Sequence, residues 1–185
     1  MILLFRHGLD DETYIGGWSS GDLIEEGIQQ THEAALFLSK SEYKIDKIYS
    51  SDVKRAMTTT EILKEYIDVP VEYAARFREL NKGLLNGMNS KEAYKKYPIY
   101  KNLDDINIAF PEGESMIEFY KRVKDDLEYI LSLDNSVIVT HRGIINMLYF
   151  ILNDLYPNMD KKQFGVTHAS IHALNPGDRT IHKLR

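Results

Sequence analysis

The 185-residue chain has no cysteine, which excludes disulfides and thiolate chemistry and leaves only histidine and carboxylate ligands for any zinc site. It has no excess of positive charge either. A formal net charge of −5 argues against a general binder of nucleic acid or of a membrane surface, while a local basic pocket stays compatible with it. Long apolar runs are missing. The most apolar stretch, "IINMLYFIL", is too short to cross a bilayer, and Arg6 interrupts the apolar start "ILLF" too early for a signal-peptide core. Repeats, low-complexity tracts and flexible Gly/Ser linkers are absent. The expectation is a cytoplasmic globular protein, long enough for one domain with a substantial core and short for two.

What is present alternates between two periodicities. Four consecutive apolar residues before Arg6 predict a strand buried on both faces, as in a parallel sheet. After the loop "YIGGWSSGD", Ile28, Ala34, Ala35 and Leu38 predict an amphipathic helix over 27–41. "KIDKIYS" reads as a strand, with Ser51 or Asp52 placed to cap the helix "VKRAMTTTEILKEY". "VPVEYA" is a brief strand and "SKEAYKKY" a helix in a polar, Tyr-rich middle. Met116, Phe119, Val123, Leu127, Ile130 and Leu131 predict one long helix from about 114 to 133. "SVIVTH" is a second buried strand followed by an apolar helix, and "ASIHALN" a last central strand with "TIHKL" beside it. This alternation predicts an α/β three-layer sandwich, with a mostly parallel central sheet and helices on both faces.

Both buried strands end alike, in "RHG" (6–8) and "HRG" (141–143). Ligands of open parallel sheets collect outside the carboxyl ends of the strands. Arg6, His7, His141 and Arg142 therefore belong at one edge, and "SSDVKRA" adds Arg55 in the first turn of a helix. Guanidinium forks match phosphate oxygens, and helix N-termini favour anions. One histidine at a strand end is ordinarily structural or solvated; the convergence is what points to function. His168 and His172 would form a metal pair only on a helix, and their flanks look extended, so no metal site is expected. His32 reads as a helix-surface residue, Ser115 as a helix N-terminal contact and Thr59 as packing. The 12 tyrosines suit core and rim better than a stacking platform for nucleic acid.

"RHG", "SSDVKRAMTT", "RELNKGLLNG", "PEGES" and "VTHRG" stand in an order and spacing that resemble the histidine phosphatase superfamily, the phosphoglycerate-mutase-like fold, over nearly the whole chain. The resemblance implies a single domain over 1–185 with a small cap-like insertion at about 84–113. It implies His7 as the nucleophile that becomes phosphohistidine, Arg6 and Arg55 as the phosphate clamp, and His141 as the second pocket histidine. Glu79, followed by Gly83 and Gly87, resembles the proton donor. Such chemistry suits these residue types. A neutral imidazole is nucleophilic near neutral pH, fixed cations stabilise charge developing on phosphoryl oxygens, and a partly desolvated carboxyl group protonates a departing alkoxide.

The chain also departs from the family pattern. Arg142 stands where many relatives have glycine, either as an added phosphate donor or pointing outward. The loop after "RHG" is shortened, with Thr13 as a possible stand-in for a phosphate-holding asparagine and with Asp10 and Asp11 beside the anion pocket. Asn146 replaces a frequent arginine. "GLLNGMNSKEAYKKY" is similar to the mutases, yet the longer insertion that covers mutase sites is missing. The resemblance then implies the small phosphatase branch: a metal-independent phosphomonoesterase without cofactor. It would act, as a monomer or homodimer, on a small phosphorylated metabolite or other phosphomonoester, with no nucleic-acid or membrane partner. A cofactor-dependent mutase of phosphoglycerate type and a degenerate phospho-ligand binder are the alternatives.

Overall fold

The computed structural model describes residues 1–160 and 162–185. Among these, β1 (Ile2–Arg6), β2 (Lys47–Ser50), β3 (Val71–Tyr73), β4 (Ser136–Thr140), β5 (Ile171–Asn175) and β6 (Thr180–Lys183) form one sheet in the order β3-β2-β4-β1-β5-β6. The pairs β3–β2, β2–β4 and β4–β1 are parallel, whereas β5 runs antiparallel to both β1 and β6. The sheet is thus mixed, with its parallel part where the sequence placed it.

β1 and β4 are buried at every position because both of their faces are covered. Leu3, Phe5, Val137 and Val139 pack against α1 (Glu25–Ser39) and α2 (Lys54–Lys64). Ile2, Leu4 and Ile138 face a second core with α4 (Met116–Asp125), α5 (Leu127–Leu131) and α6 (Arg142–Leu152). Each such side chain contributes about 1.5–3 kcal/mol by leaving water. A one-residue slip would exchange the two faces, so register is strongly specified. That register pairs Arg6 with Thr140, and the His7 N–H donates to the Thr140 carbonyl at 3.0 Å. The Ser51 N–H donates to the Val139 carbonyl at 2.9 Å. Three strand ends therefore open onto one edge, above which α3 (Ser90–Lys96) and two short 3-10 turns, Gly83–Leu85 and Pro98–Asn102, occupy the segment after Glu79. No helix of the described residues is long and apolar enough to cross a membrane.

Two expectations need correction. The long helix is interrupted at Asp126, where a backbone at φ −85°, ψ −3° tightens the turn and the carboxylate pairs with Arg76 at 2.6 Å. Its apolar stripe continues through the break, since Phe119, Val123, Leu127, Ile130 and Leu131 all stay in one core. Its start is Ser115, which forms a reciprocal capping box with Glu118. Neither Ser51 nor Asp52 caps α2, whose N-cap is Val53 with no side-chain bond. Asp52 is turned to Arg78 in a two-pronged pair at 2.5 and 2.6 Å, and Ser51 serves the site described below.

His172 shows why the extended reading of "ASIHALN" holds. It lies fully buried in β5, and its ring meets the Tyr149 hydroxyl at 2.9 Å and the Ser170 hydroxyl at 3.0 Å. Burial, with smaller contributions from Lys183 and His182, depresses its pKa to about 4. Because an unfolded histidine titrates near 6.5, the unfolded chain binds a proton between about pH 6.5 and 4 that the folded chain refuses. Stability then falls as pH drops through that window. His172→Gln, which keeps hydrogen-bonding capacity and cannot titrate, should be less stable than wild type at pH 7 in urea unfolding. The gap should narrow by pH 4.5; a constant gap would remove His172 from the acid response.

Candidate active site

The turn after β1 explains its glycine. A Cβ on Gly8 would lie 2.3 Å from the Gly27 carbonyl oxygen and 2.5 Å from the Thr31 hydroxyl, so only glycine lets α1 approach so closely. The Thr59 hydroxyl accepts the Gly8 N–H at 3.2 Å while donating to the Arg55 carbonyl. Thr59 thus ties the first turn to α2 as well as filling space. Held this way, the Gly8 carbonyl sits 2.7 Å from His7 Nδ1. A carbonyl can only accept, so Nδ1 carries the proton and Nε2 keeps its lone pair.

Arg55 supplies the centre. It is almost wholly buried, and its Nε–H donates to His7 Nε2 at 3.2 Å. Its Nη2 donates to the Gly17 carbonyl at 2.8 Å and to His141 Nδ1 at 3.2 Å, and Nη1 to the Ser19 hydroxyl at 3.3 Å. Arginine has no acceptor, so His141 Nδ1 is unprotonated and its Nε2–H donates to the Ser51 hydroxyl at 2.8 Å. The two rings stand 5.1 Å apart. Burial, reinforced by Arg55, holds both histidines well below their ordinary pKa, and both are neutral at neutral pH.

Arg6 approaches from the other side. Its Nη1 donates to the Val166 carbonyl at 2.9 Å and its Nη2 to His168 Nε2 at 2.5 Å. Burial and the neighbouring Arg142 lower the Arg6 pKa to about 10, so it stays charged. His168 is the site neighbour that sequence reasoning missed, its ring 5.8 Å from that of His7 and its pKa depressed to about 3 by burial and by Arg6. The signal was the direction of β5. Because β5 is antiparallel to β1, its start lies at the edge where β1 ends.

Glu79 reaches the same edge through a contact made by a second glycine. A Cβ on Gly143 would lie 1.9 Å from its carboxylate oxygen, so this carboxylate fits against the first turn of α6 only because that position is bare. The Gly143 N–H donates to one oxygen at 3.0 Å and the Leu80 N–H to the other at 2.8 Å. Burial pushes the Glu79 carboxyl up, but these two amides, aided by Lys82 and Arg142, outweigh it and hold the net pKa below the usual value. Burial therefore does not keep this carboxyl protonated.

Arg6, His7, Arg55 and Glu79 line a cleft of about 340 Å³ together with Arg142, Lys82, Asp10 and Glu12. Thr13 does not line it, because its hydroxyl donates to Asp11 at 2.7 Å on the surface. Asp10 lies 3.4 Å from Arg55, with its pKa raised by burial. Asn146 is buried in α6 beside a smaller side pocket behind Glu79. Among the described residues, no group of three or more His, Asp or Glu side chains is arranged to hold a metal ion. The arrangement gathers the His7 ring, three guanidinium groups and the Glu79 carboxylate around one cleft, a setting suited to an anion.

Comparison with known proteins agrees with this geometry. The histidine phosphatase superfamily (branch 1) matches residues 2–185. The chain is 35% identical over 140 residues to the 2,3-bisphosphoglycerate-dependent phosphoglycerate mutase of Streptococcus mutans, covering 72% of this chain and 54% of that protein. For the same enzyme of Parabacteroides distasonis it is 34% over 102 residues, covering 52% and 41%. The chain thus matches about half the length of these mutases. A putative alpha-ribazole-5'-P phosphatase from Escherichia coli shares the fold with a TM-score of 0.83 at 19% identity, covering 100% of this chain and 95% of the other. A mycobacterial glucosyl-3-phosphoglycerate phosphatase does so with a TM-score of 0.77 at 23% identity, covering 99% and 96%. With its two histidines and two arginines gathered at one sheet edge and a family match spanning nearly every residue, the chain belongs to the histidine phosphatase superfamily (branch 1).

Proposed function

We propose that the protein is a metal-independent phosphomonoester hydrolase working through phosphohistidine on His7. The observation that carries this reading is the tautomer of His7. Its Nδ1 proton is committed to the Gly8 carbonyl, so the lone pair on Nε2 needs no separate base. The Arg55 Nε–H donates to that lone pair. An arriving phosphoryl group takes Arg55 and Arg6 as oxygen donors, with His141 and Arg142 beside them, and leaves Nε2 facing phosphorus. The P–N bond forms as the ester P–O bond breaks, and the leaving oxygen takes a proton from Glu79. Water then attacks phosphorus, its proton passes to Glu79, and His7 is released with inorganic phosphate.

Glu79 starts ionised, so its proton has to come with the substrate. A phosphomonoester has a second pKa near about 6, and its monoanion can hand one proton to the carboxylate on binding. Mutase chemistry is the second reading, favoured by the likeness to phosphoglycerate mutases. The open cleft and the short elements between Glu79 and Ser115, one seven-residue helix and two 3-10 turns, favour hydrolysis, because a mutase must keep water from its phosphoenzyme.

Four sets of measurements test the proposal. Brief mixing with labelled substrate in the presence of chelator, followed by alkaline quench, should trap acid-labile phosphate on wild type and none on His7→Ala. Phosphate exchange between the hydroxyls of phosphoglycerate outrunning phosphate release would select the mutase reading instead. Glu79→Gln should slow single-turnover phosphorylation by about 10²–10⁴-fold with an alkyl phosphate and far less with nitrophenyl phosphate, whose leaving group needs no proton. In wild type, kcat/KM for the alkyl ester should fall by up to about tenfold per pH unit above about pH 6, as the monoanion disappears, with a flatter profile for the nitrophenyl ester. Finally, Asp10 competes with substrate oxygens for Arg55, so Asp10→Asn should lower the inhibition constant of inorganic phosphate several-fold, by roughly the value of one nearby charge. An unchanged constant would place Asp10 outside the phosphate site.

A further inference from the structure

Beside the phosphate cleft lies a second groove of about 330 Å³, and Ile15, Lys82 and Tyr94 line both. The two spaces therefore adjoin, and a phosphomonoester held in the cleft extends its alcohol portion toward the groove. Its size lies in the range of small-molecule sites. Its walls are apolar, with Tyr94, Tyr100, Leu103 and Met116 each half-buried and presented to the space. Tyr100 is fixed in this wall. Its ring stacks on Phe110 at 4.8 Å and 22°, and its hydroxyl donates to the Ala109 carbonyl at 2.9 Å. It offers a ring face, with the hydroxyl already engaged. The exposed rim carries Lys101 and Lys162 together with Asp104 and Asp160, and Lys82 stands where the groove meets the cleft.

Resting on the phosphatase reading above, we propose that this groove selects phosphomonoesters whose alcohol carries an apolar, ring-bearing group, in preference to short aliphatic alcohols. An apolar ring finds walls already in place, and burying it against Tyr100 orders no flexible side chain.

Non-hydrolysable phosphonates separate this proposal from the chemistry on which it rests, because their binding needs no turnover. Calorimetry on the wild-type protein should show 3-phenylpropylphosphonate binding at least about 10-fold more tightly than propylphosphonate, the scale on which an apolar pocket discriminates. Tyr100→Ala should shrink that ratio to about threefold or less, and Tyr100→Phe should preserve it. If Tyr100→Ala does not fold, Leu103→Asp should shrink the same ratio by placing a charge in the wall. Equal affinities for the two phosphonates in wild type overturn the proposal. Phosphohistidine trapping on nitrophenyl phosphate reports separately on the hydrolase reading, so failure of one leaves the other visible.

Discussion

A permanent cation buried among neutral rings is the constraint on which the site depends. Arg55 cannot lose its proton at any working pH, and a buried charge is tolerated only where hydrogen bonds replace water. The Gly17 carbonyl, the Ser19 hydroxyl, His7 and His141 supply those bonds, with Asp10 close by. Each partner is constrained in return. The loop bearing Gly17 and Ser19 is drawn over α2, and both imidazoles must turn an unprotonated nitrogen toward the guanidinium. The same charge, added to burial, keeps both rings neutral. Under the proposed hydrolysis, phosphate oxygens would take over donors that otherwise serve the protein's own residues.

Glu79 has the opposite electrostatic history. Burial alone would keep it protonated, and two amides at the start of α6 and in its own chain reverse the balance. Gly143 is the steric condition for that reversal, since any side chain there would expel the carboxylate. Because Gly143 follows His141 by two residues, one helix start sets both the second histidine and the carboxylate. The site thus pairs a neutral imidazole with an ionised carboxylate.

Fold and function separate here. The chain is similar in sequence to mutases and in fold to phosphatases, so the scaffold alone does not choose between the two chemistries. In this chain the segment over the strand ends contributes short helices and an aromatic wall beside the cleft.

Much of this was legible in the residues alone. The two apolar runs before Arg6 and His141 mark doubly covered strands, because burial on both faces leaves no polar positions in the pattern. Two strands of that kind in a parallel arrangement bring Arg6, His7 and His141 to one edge, and the start of the next helix adds Arg55. The break at Asp126 and the uncapped start of α2 were not legible, since in each case an arginine distant in sequence claimed the carboxylate. His168 was hidden for a topological reason: only the antiparallel pairing of β5 with β1 brings the residues before β5 to the active edge. Protonation lay further out of reach. The tautomer of His141 and the ionisation of Glu79 are set by Arg55 and Gly143, which are 86 and 64 residues away along the chain. The sequence by itself determined which chemical groups are present and which strands carry them. Only the tertiary structure decided their protonation, because that depends on distances of about 3 Å between groups that local sequence does not relate.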